Sequence, residues 1–178
     1  MYQHQKLLQI SLLALLAFVV LIGIDEIVQH HQKKLIVYSI NPNNAIQVVE
    51  GYASKLILDK ALQNDKQKFR FHLQQHIWQM GIQHLDTMNL DKNWQVIASS
   101  GKRILISGDE YPQSTQNIDV LIIRNMLQLE VLKQIKAKQV LISGSVKKHH
   151  AQKMKDYYKQ QNIPVHDMLY SGAFQLSL

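Results

Sequence analysis

The sequence predicts an α/β domain of two packed sheets behind one N-terminal membrane-spanning helix. Three observations predict it. Leu7 to Ile24 (LLQISLLALLAFVVLIGI) contains no charged residue. Short β-branched runs separated by turn clusters follow, the pattern of a β-meander and a hairpin. The last third alternates strand and helix signals, as parallel βαβ units do.

Composition narrows the class. A chain of 178 residues that is 46% hydrophobic and 19% charged is not disordered. Seven glycines and three prolines exclude collagen-like and low-complexity classes. With no cysteine there is no disulfide framework, no Cys-ligated zinc and no thiol catalysis, and the redox compartment stays open. The formal net charge of +7 favours acidic partners. The mean hydropathy of −0.16 averages an apolar start with a polar, basic, Gln-rich remainder, of which about 145 residues can bury a real core.

Each element can be justified in order. The run from Leu7 to Ile24 spans roughly 27 Å as a helix, close to the hydrocarbon core of a bilayer. It is longer than a signal-peptide core, and Ile22-Gly23-Ile24-Asp25 offers no small-x-small cleavage site. An uncleaved membrane helix therefore outranks a signal peptide or a buried core helix. Lys6 flanks one end, and Lys33 and Lys34 the other; counting them leans toward a cytoplasmic C-terminal part. The division is 1–32 as transmembrane helix and juxtamembrane linker, and 33–178 as soluble domain, with no internal repeat and no long linker.

Leu35–Ile40 reads as a strand, Asn41-Pro42-Asn43-Asn44 as a turn, Ala45–Glu50 as a strand, Gly51 as a turn and Lys55–Leu58 as a third strand. From Asp65 to Met80 the period changes: Phe69, Leu73, Ile77 and Met80 recur at helical spacing, and Gly81 suits the helix end. Trp94–Ser99 and Arg103–Ser107 flank Ser100-Gly101-Lys102, a hairpin signal. Then come strand Ile118–Ile123, helix Met126–Ala137, strand Gln139–Ser143 and helix Val146–Gln161, the last with Ala151, Met154 and Tyr158 on its core face. Ile163–Met168, holding Pro164, suits a short edge strand. Tyr170-Ser171-Gly172 turns into a closing strand, Ala173–Leu178. Ile118–Ile123 is apolar on both faces except at Asp119, so it should be central and parallel to Gln139–Ser143.

The candidate chemistry is sparse. His72 and His76 stand four apart on one helix, but His72-Leu73-Gln74-Gln75-His76 carries no carboxylate, and two ligands do not make a zinc site. His149 and His150 lie beside Lys147 and Lys148, as a solvated basic stretch or an anion-binding patch. Asp109-Glu110 next to Tyr111-Pro112 reads as an exposed loop rather than a cation site. Ser143-Gly144-Ser145 is a tight strand-to-helix turn with Ser145 as N-cap; it lacks the length and Lys-Ser/Thr ending of a phosphate loop. Lys147, Lys148, Lys153, Lys155 and Lys159, opposed only by Asp156 and interleaved with Tyr157 and Tyr158, have the composition of a nucleic-acid backbone-binding face.

The order of segments resembles the C-terminal end of ComEC-like competence proteins, inner-membrane channels for DNA uptake, across essentially the whole chain. Leu7 to Ile24 would be the last membrane helix. Lys33 to Ala61 resembles the opening meander of the metallo-β-lactamase-like domain that follows in that family. Ile118–Asn125 is similar to the strand that leads into His-His-Gly in active members, and Gln139–His150 to the next strand and its turn. Asn162–Leu178 resembles the closing strand pair, most tellingly at Ser171-Gly172-Ala173-Phe174. The departures fall on the metal ligands. The His-x-His-x-Asp-His motif is absent, Ser39-Ile40-Asn41-Pro42-Asn43-Asn44-Ala45 replaces Asp-Val-Gly-Gln-Gly-Asp-Ala, and Arg124-Asn125-Met126 replaces His-His-Gly. Asp59 alone stands near the family's strand-ending Asp, and His149 or His150 near a later His.

The resemblance thus implies a reduced metallo-β-lactamase-like αββα sandwich with a degenerate, metal-free site: no catalytic residue, no metal and no cofactor. The leading expectation is a non-catalytic, membrane-anchored C-terminal domain of a competence-type DNA-uptake channel in the bacterial inner membrane, with a truncated or split gene product left open. Its partners would be the membrane, a polytopic competence channel subunit and single-stranded DNA. The alternatives are a metal-dependent nuclease or hydrolase, and a standalone single-pass membrane scaffold unrelated to DNA.

Overall fold

The computed structural model describes residues 2–90, 93–108 and 117–178. An N-terminal helix, α1 (Tyr2–His31), leads into the domain. Its stretch from Leu7 to His31 is long and apolar enough to cross a bilayer, and none of its apolar window is buried by the rest of the chain. Apolar side chains such as Leu12, Phe18 and Leu21 are therefore exposed along it.

The meander forms as read: β1 (Lys33–Ile40), β2 (Asn43–Glu50) and β3 (Ala53–Leu58) pair antiparallel. Two short helices follow, α2 (Lys60–Asn64) and α3 (Lys66–Phe69). A π-helical turn, Arg70–Gln74, then continues into α4 (Gln75–Gln79). Residues four apart advance about 40° beyond a full α-helical turn. One wider turn absorbs that drift and keeps Leu73 and Ile77 both buried against the first sheet. Gly81 closes the helix at φ +67°, a conformation that suits glycine. β4 (His84–Asn89) then runs parallel to β3 as an edge, and β10 (Phe174–Ser177) closes the other edge on β1, giving the order β10-β1-β2-β3-β4.

The second sheet has the order β5 (Gln95–Ser99), β6 (Lys102–Ile106), β7 (Ile118–Ile123), β8 (Ala137–Ile142), β9 (Val165–Asp167). β5 and β6 form the expected antiparallel hairpin; β6, β7, β8 and β9 are parallel. β7 is central and parallel to β8, as its apolar sequence predicts. Its one acid, Asp119, accepts from the Arg103 amide at 2.9 Å and the Lys138 ammonium at 2.7 Å. These bonds hold its carboxyl below the usual carboxylate range, the Lys138 bond foremost.

Strand alternation sends side chains to three apolar layers. Leu35, Val37, Ile46 and Val48 meet Ile104, Ile106, Val120 and Ile122 between the sheets. Ile36, Val49, Leu56 and Leu58 face Leu73, Ile77 and Met80 on the outer side of the first sheet. Leu121, Ile123, Val140 and Ile142 lie under Ala151, Met154 and Tyr158 of α6 (Lys148–Gln160). The layers are helix, sheet, sheet, helix, so the two-sheet α/β expectation holds.

Three local readings are corrected and two elements are added. Met126–Ala137 is helical only at α5 (Leu129–Leu132), because Ala137 is drawn into β8 opposite Ile118. Ile163–Met168 is a strand only over β9; Met168 opens a helical turn, α7 (Met168–Ser171), whose first amides Asp167 caps through Leu169 at 3.1 Å. α2 and β4 carry no prediction: β4 is exposed at every position, so it shows no buried alternation. Ser145 is not the N-cap of α6; Lys147 holds that position without a side-chain bond.

Candidate functional site

The parallel strands β6, β7 and β8 end side by side, and ligands of open α/β sheets bind outside such carboxyl ends. Here those ends carry Ser107, Arg124, Asn125, Ser143 and Ser145, and the β1–β2 turn brings Asn44 to meet them from the other sheet. Ser143 Oγ donates to Asn44 Oδ1 at 2.5 Å, and Ser145 Oγ lies 3.2 Å from the same oxygen. Asp59, just past β3, fixes Asn44 by accepting from its backbone amide at 2.7 Å and its side-chain amide at 3.2 Å. The Asn44 carbonyl oxygen is thereby aimed at the serines.

On the far side, Ser145 Oγ donates to the Arg124 carbonyl at 2.6 Å. Ser107 Oγ donates to Asn125 Oδ1 at 2.8 Å and accepts from the Arg124 amide at 2.9 Å. Asn125 Nδ2 reaches the Gly108 carbonyl at 3.2 Å. The cluster is a hydrogen-bonded clasp between the two sheets. Hydroxyls and amides saturate one another, and no histidine stands beside Ser143 or Ser145 as a base among the bonds these residues make. Among the described residues, no three His, Asp or Glu side chains converge as a metal group would require. Asp109 and Glu110 lie outside the described residues.

The histidines are scattered. His72 is exposed and stacks edge-on against Phe71, with centroids 4.9 Å apart. His76 turns inward, its Nδ1 2.8 Å from the Tyr38 hydroxyl, which itself bonds Gln47. Burial, helped by the Lys34 charge, holds the His76 imidazole below its ordinary pKa. His149 and His150 stack at 3.9 Å. His150 is also held low, by partial burial first and then by His149, Lys153 and Lys147.

The basic helix is the second candidate surface. Its first residue and Lys153 and Lys159 are exposed, as is the preceding Lys147. Lys155 is half-buried and pairs with Asp167 at 3.2 Å. Lys148 and Lys155 also place their ammonium groups 5.7 and 5.4 Å from the ring centroid of Tyr170, which is 60% exposed. The sequence reading of this surface missed Tyr170, because a lone aromatic in a turn gives no periodic signal. It equally missed Asn44 and Ser107, whose role appears only when the two sheets meet.

A helix long and apolar enough to cross a membrane, joined to a helix-sheet-sheet-helix sandwich with a polar clasp at its strand ends, defines a two-sheet α/β domain. Residues 35–178 match the model of the ComEC C-terminal domain. The chain belongs to that family, whose members serve competence and DNA uptake and are membrane-associated. No curated protein and no solved structure matches the chain.

Proposed function

We propose that the chain is a membrane-anchored, non-catalytic domain of a competence-type DNA-uptake channel, working beside a polytopic channel subunit and touching DNA through its basic helix. The clasp carries this reading. A metallo-β-lactamase-like frame implies a bound metal pair, and the residues at the strand ends do not fit one. Asp59 is the only carboxylate among Asn44, Asp59, Ser107, Arg124, Asn125, Ser143 and Ser145, and its Oδ2 already accepts two bonds from Asn44. Neutral amides and hydroxyls bound to each other are poor ligands for a dication.

For DNA, α6 offers Lys147, Lys148, Lys153, Lys155 and Lys159 as phosphate partners, and Tyr170 beside two of them as a surface on which a base can stack. Contact of this kind is electrostatic and independent of sequence. Lys155 contributes least, since Asp167 offsets its charge. The test is binding of single- and double-stranded DNA by the full chain in uncharged nanodiscs at several salt concentrations. Replacing Lys148, Lys155 and Lys159 by Gln should weaken binding to all sequences alike and flatten the log–log salt slope by about 1.5–2. Unchanged binding in that variant, or no binding at low salt, contradicts the DNA role.

A further inference from the structure

One helix face has no partner among the described residues. Phe71 and Trp78 stand seven residues apart and are 80% and 69% exposed, the two most exposed Phe, Trp or Tyr side chains among the described residues after α1. Both line one open groove, together with Lys66 and Arg70. Among the described residues no acid lines it; Asp65, next to Lys66 in the chain, is paired with Lys68 at 3.5 Å. The face is thus aromatic and cationic.

Its position points to an occupant. The C-terminal end of α4 abuts the base of α1: Gln32 Nε2 donates to the Met80 carbonyl at 2.7 Å and to the Gly51 carbonyl at 3.0 Å. Tyr52 OH donates to the Glu26 carbonyl at 3.1 Å. The candidate apolar span of α1 extends to His31, with Ile27 and Val28 exposed, so Gln32 follows it directly. The headgroup layer of a bilayer is about 5–8 Å thick on each side. Trp78, two residues before Met80, therefore stands at headgroup height if α1 spans the bilayer. Tryptophan prefers that layer, and Lys and Arg prefer its anionic phosphates. Phe71 lies about 10 Å further along the helix. It reaches the same layer when the helix is inclined at a shallow angle to the bilayer plane.

We infer that the Phe71–Trp78 face, running from α3 through the π-helical turn to α4, docks on the surface of an anionic lipid bilayer, so that the domain rests on the membrane to which α1 ties it. The inference rests on the reading of α1 as a membrane anchor. It sets the orientation of the sandwich, with the outer helices of the first sheet toward lipid and the α6 side free.

The test reads tryptophan fluorescence of the full chain in nanodiscs containing lipids brominated near the headgroup, with and without anionic lipid. Two single-site reporters are compared. One is the wild-type signal minus that of Trp78→Phe. The other is the signal gained by Phe71→Trp in the Trp78→Phe background. Both positions are exposed, so neither substitution disturbs the core. Quenching by brominated lipid and a blue shift at both positions, stronger with anionic lipid and weakened by Lys66→Gln with Arg70→Gln, is the expected result. Quenching at position 78 alone overturns the docked face. Shielding from an aqueous quencher without quenching by brominated lipid assigns the face to protein contact, and also overturns it. A chain that fails to co-elute with nanodiscs overturns the anchor reading and this inference together; a chain that co-elutes with both reporters open to the aqueous quencher overturns this inference alone.

Discussion

Tyr158, on the core face of α6, is completely buried, and its hydroxyl finds no hydrogen-bond partner among the described residues. Burial pushes its phenol well above the usual tyrosine range. An unpaired buried hydroxyl costs about 1–3 kcal/mol, while the ring contributes apolar burial to the layer with Met154 and Leu121. Tyr158→Phe is therefore expected to leave the thermal midpoint unchanged or raise it, and Tyr158→Ala to lower stability by about 3–5 kcal/mol; thermal unfolding of the full chain in detergent checks both. His76 gives a prediction of opposite character. Its folded pKa is lowered, so the unfolded chain takes up a proton that the folded chain resists. Stability is then full above the unfolded imidazole value and falls as pH drops through about 6.5 toward the folded value. His150 shares that sign. His76→Gln should keep a partner for the Tyr38 hydroxyl and make the midpoint fall less steeply between about pH 7.5 and 5. An equal slope in variant and wild type would remove His76 as a source of the pH dependence.

At the scale of elements, what the sequence discloses is what periodicity and turn chemistry encode. β7 reads as a central strand because Val120, Leu121, Ile122 and Ile123 leave no polar face, and it is one. The 65–80 segment reads as a helix because Leu73, Ile77 and Met80 share a face. The Met126–Ala137 reading fails because pairing of Ala137 with Ile118 outranks the local helical pattern of Leu127, Val131 and Leu132. β4 escapes notice because an edge strand held by backbone bonds needs no apolar alternation. The junction of α1 with the first sheet depends on Gly51, whose φ is +60° and whose added Cβ would stand 2.9 Å from the His30 carbonyl oxygen. Gly101 has φ +77° with nothing within 4 Å, so it carries the same backbone strain without the collision. Each Gly→Ala change should cost about 1–2 kcal/mol. Only Gly51→Ala should also speed amide exchange across residues 29–33. Equal exchange there in both variants would show that α1 is not seated on this turn.

At the scale of the molecule, three apolar layers and one polar clasp hold the sandwich together. The layers were legible because the strands other than the edge strand β4 carry apolar residues that point into them. The clasp was not, because Asn44, Asp59, Ser143 and Ser145 come from two sheets and no spacing in the chain announces their meeting. The structure adds what these residues do: Asn44 meets Ser143 and Ser145 across the gap between the sheets, and Ser145 reaches the Arg124 carbonyl. The basic face was legible as a run of lysines, but its pairing of Lys155 with Asp167 and the placement of Tyr170 needed the fold. The central claim is that this family frame works here without a metal centre. The most direct measurement is the metal content of the untagged full chain, purified in detergent and dialysed against zinc and then manganese. The account predicts well under one ion per chain, with Asp59→Asn leaving the value unchanged. One or more ions per chain, lost in Asp59→Asn, would contradict it.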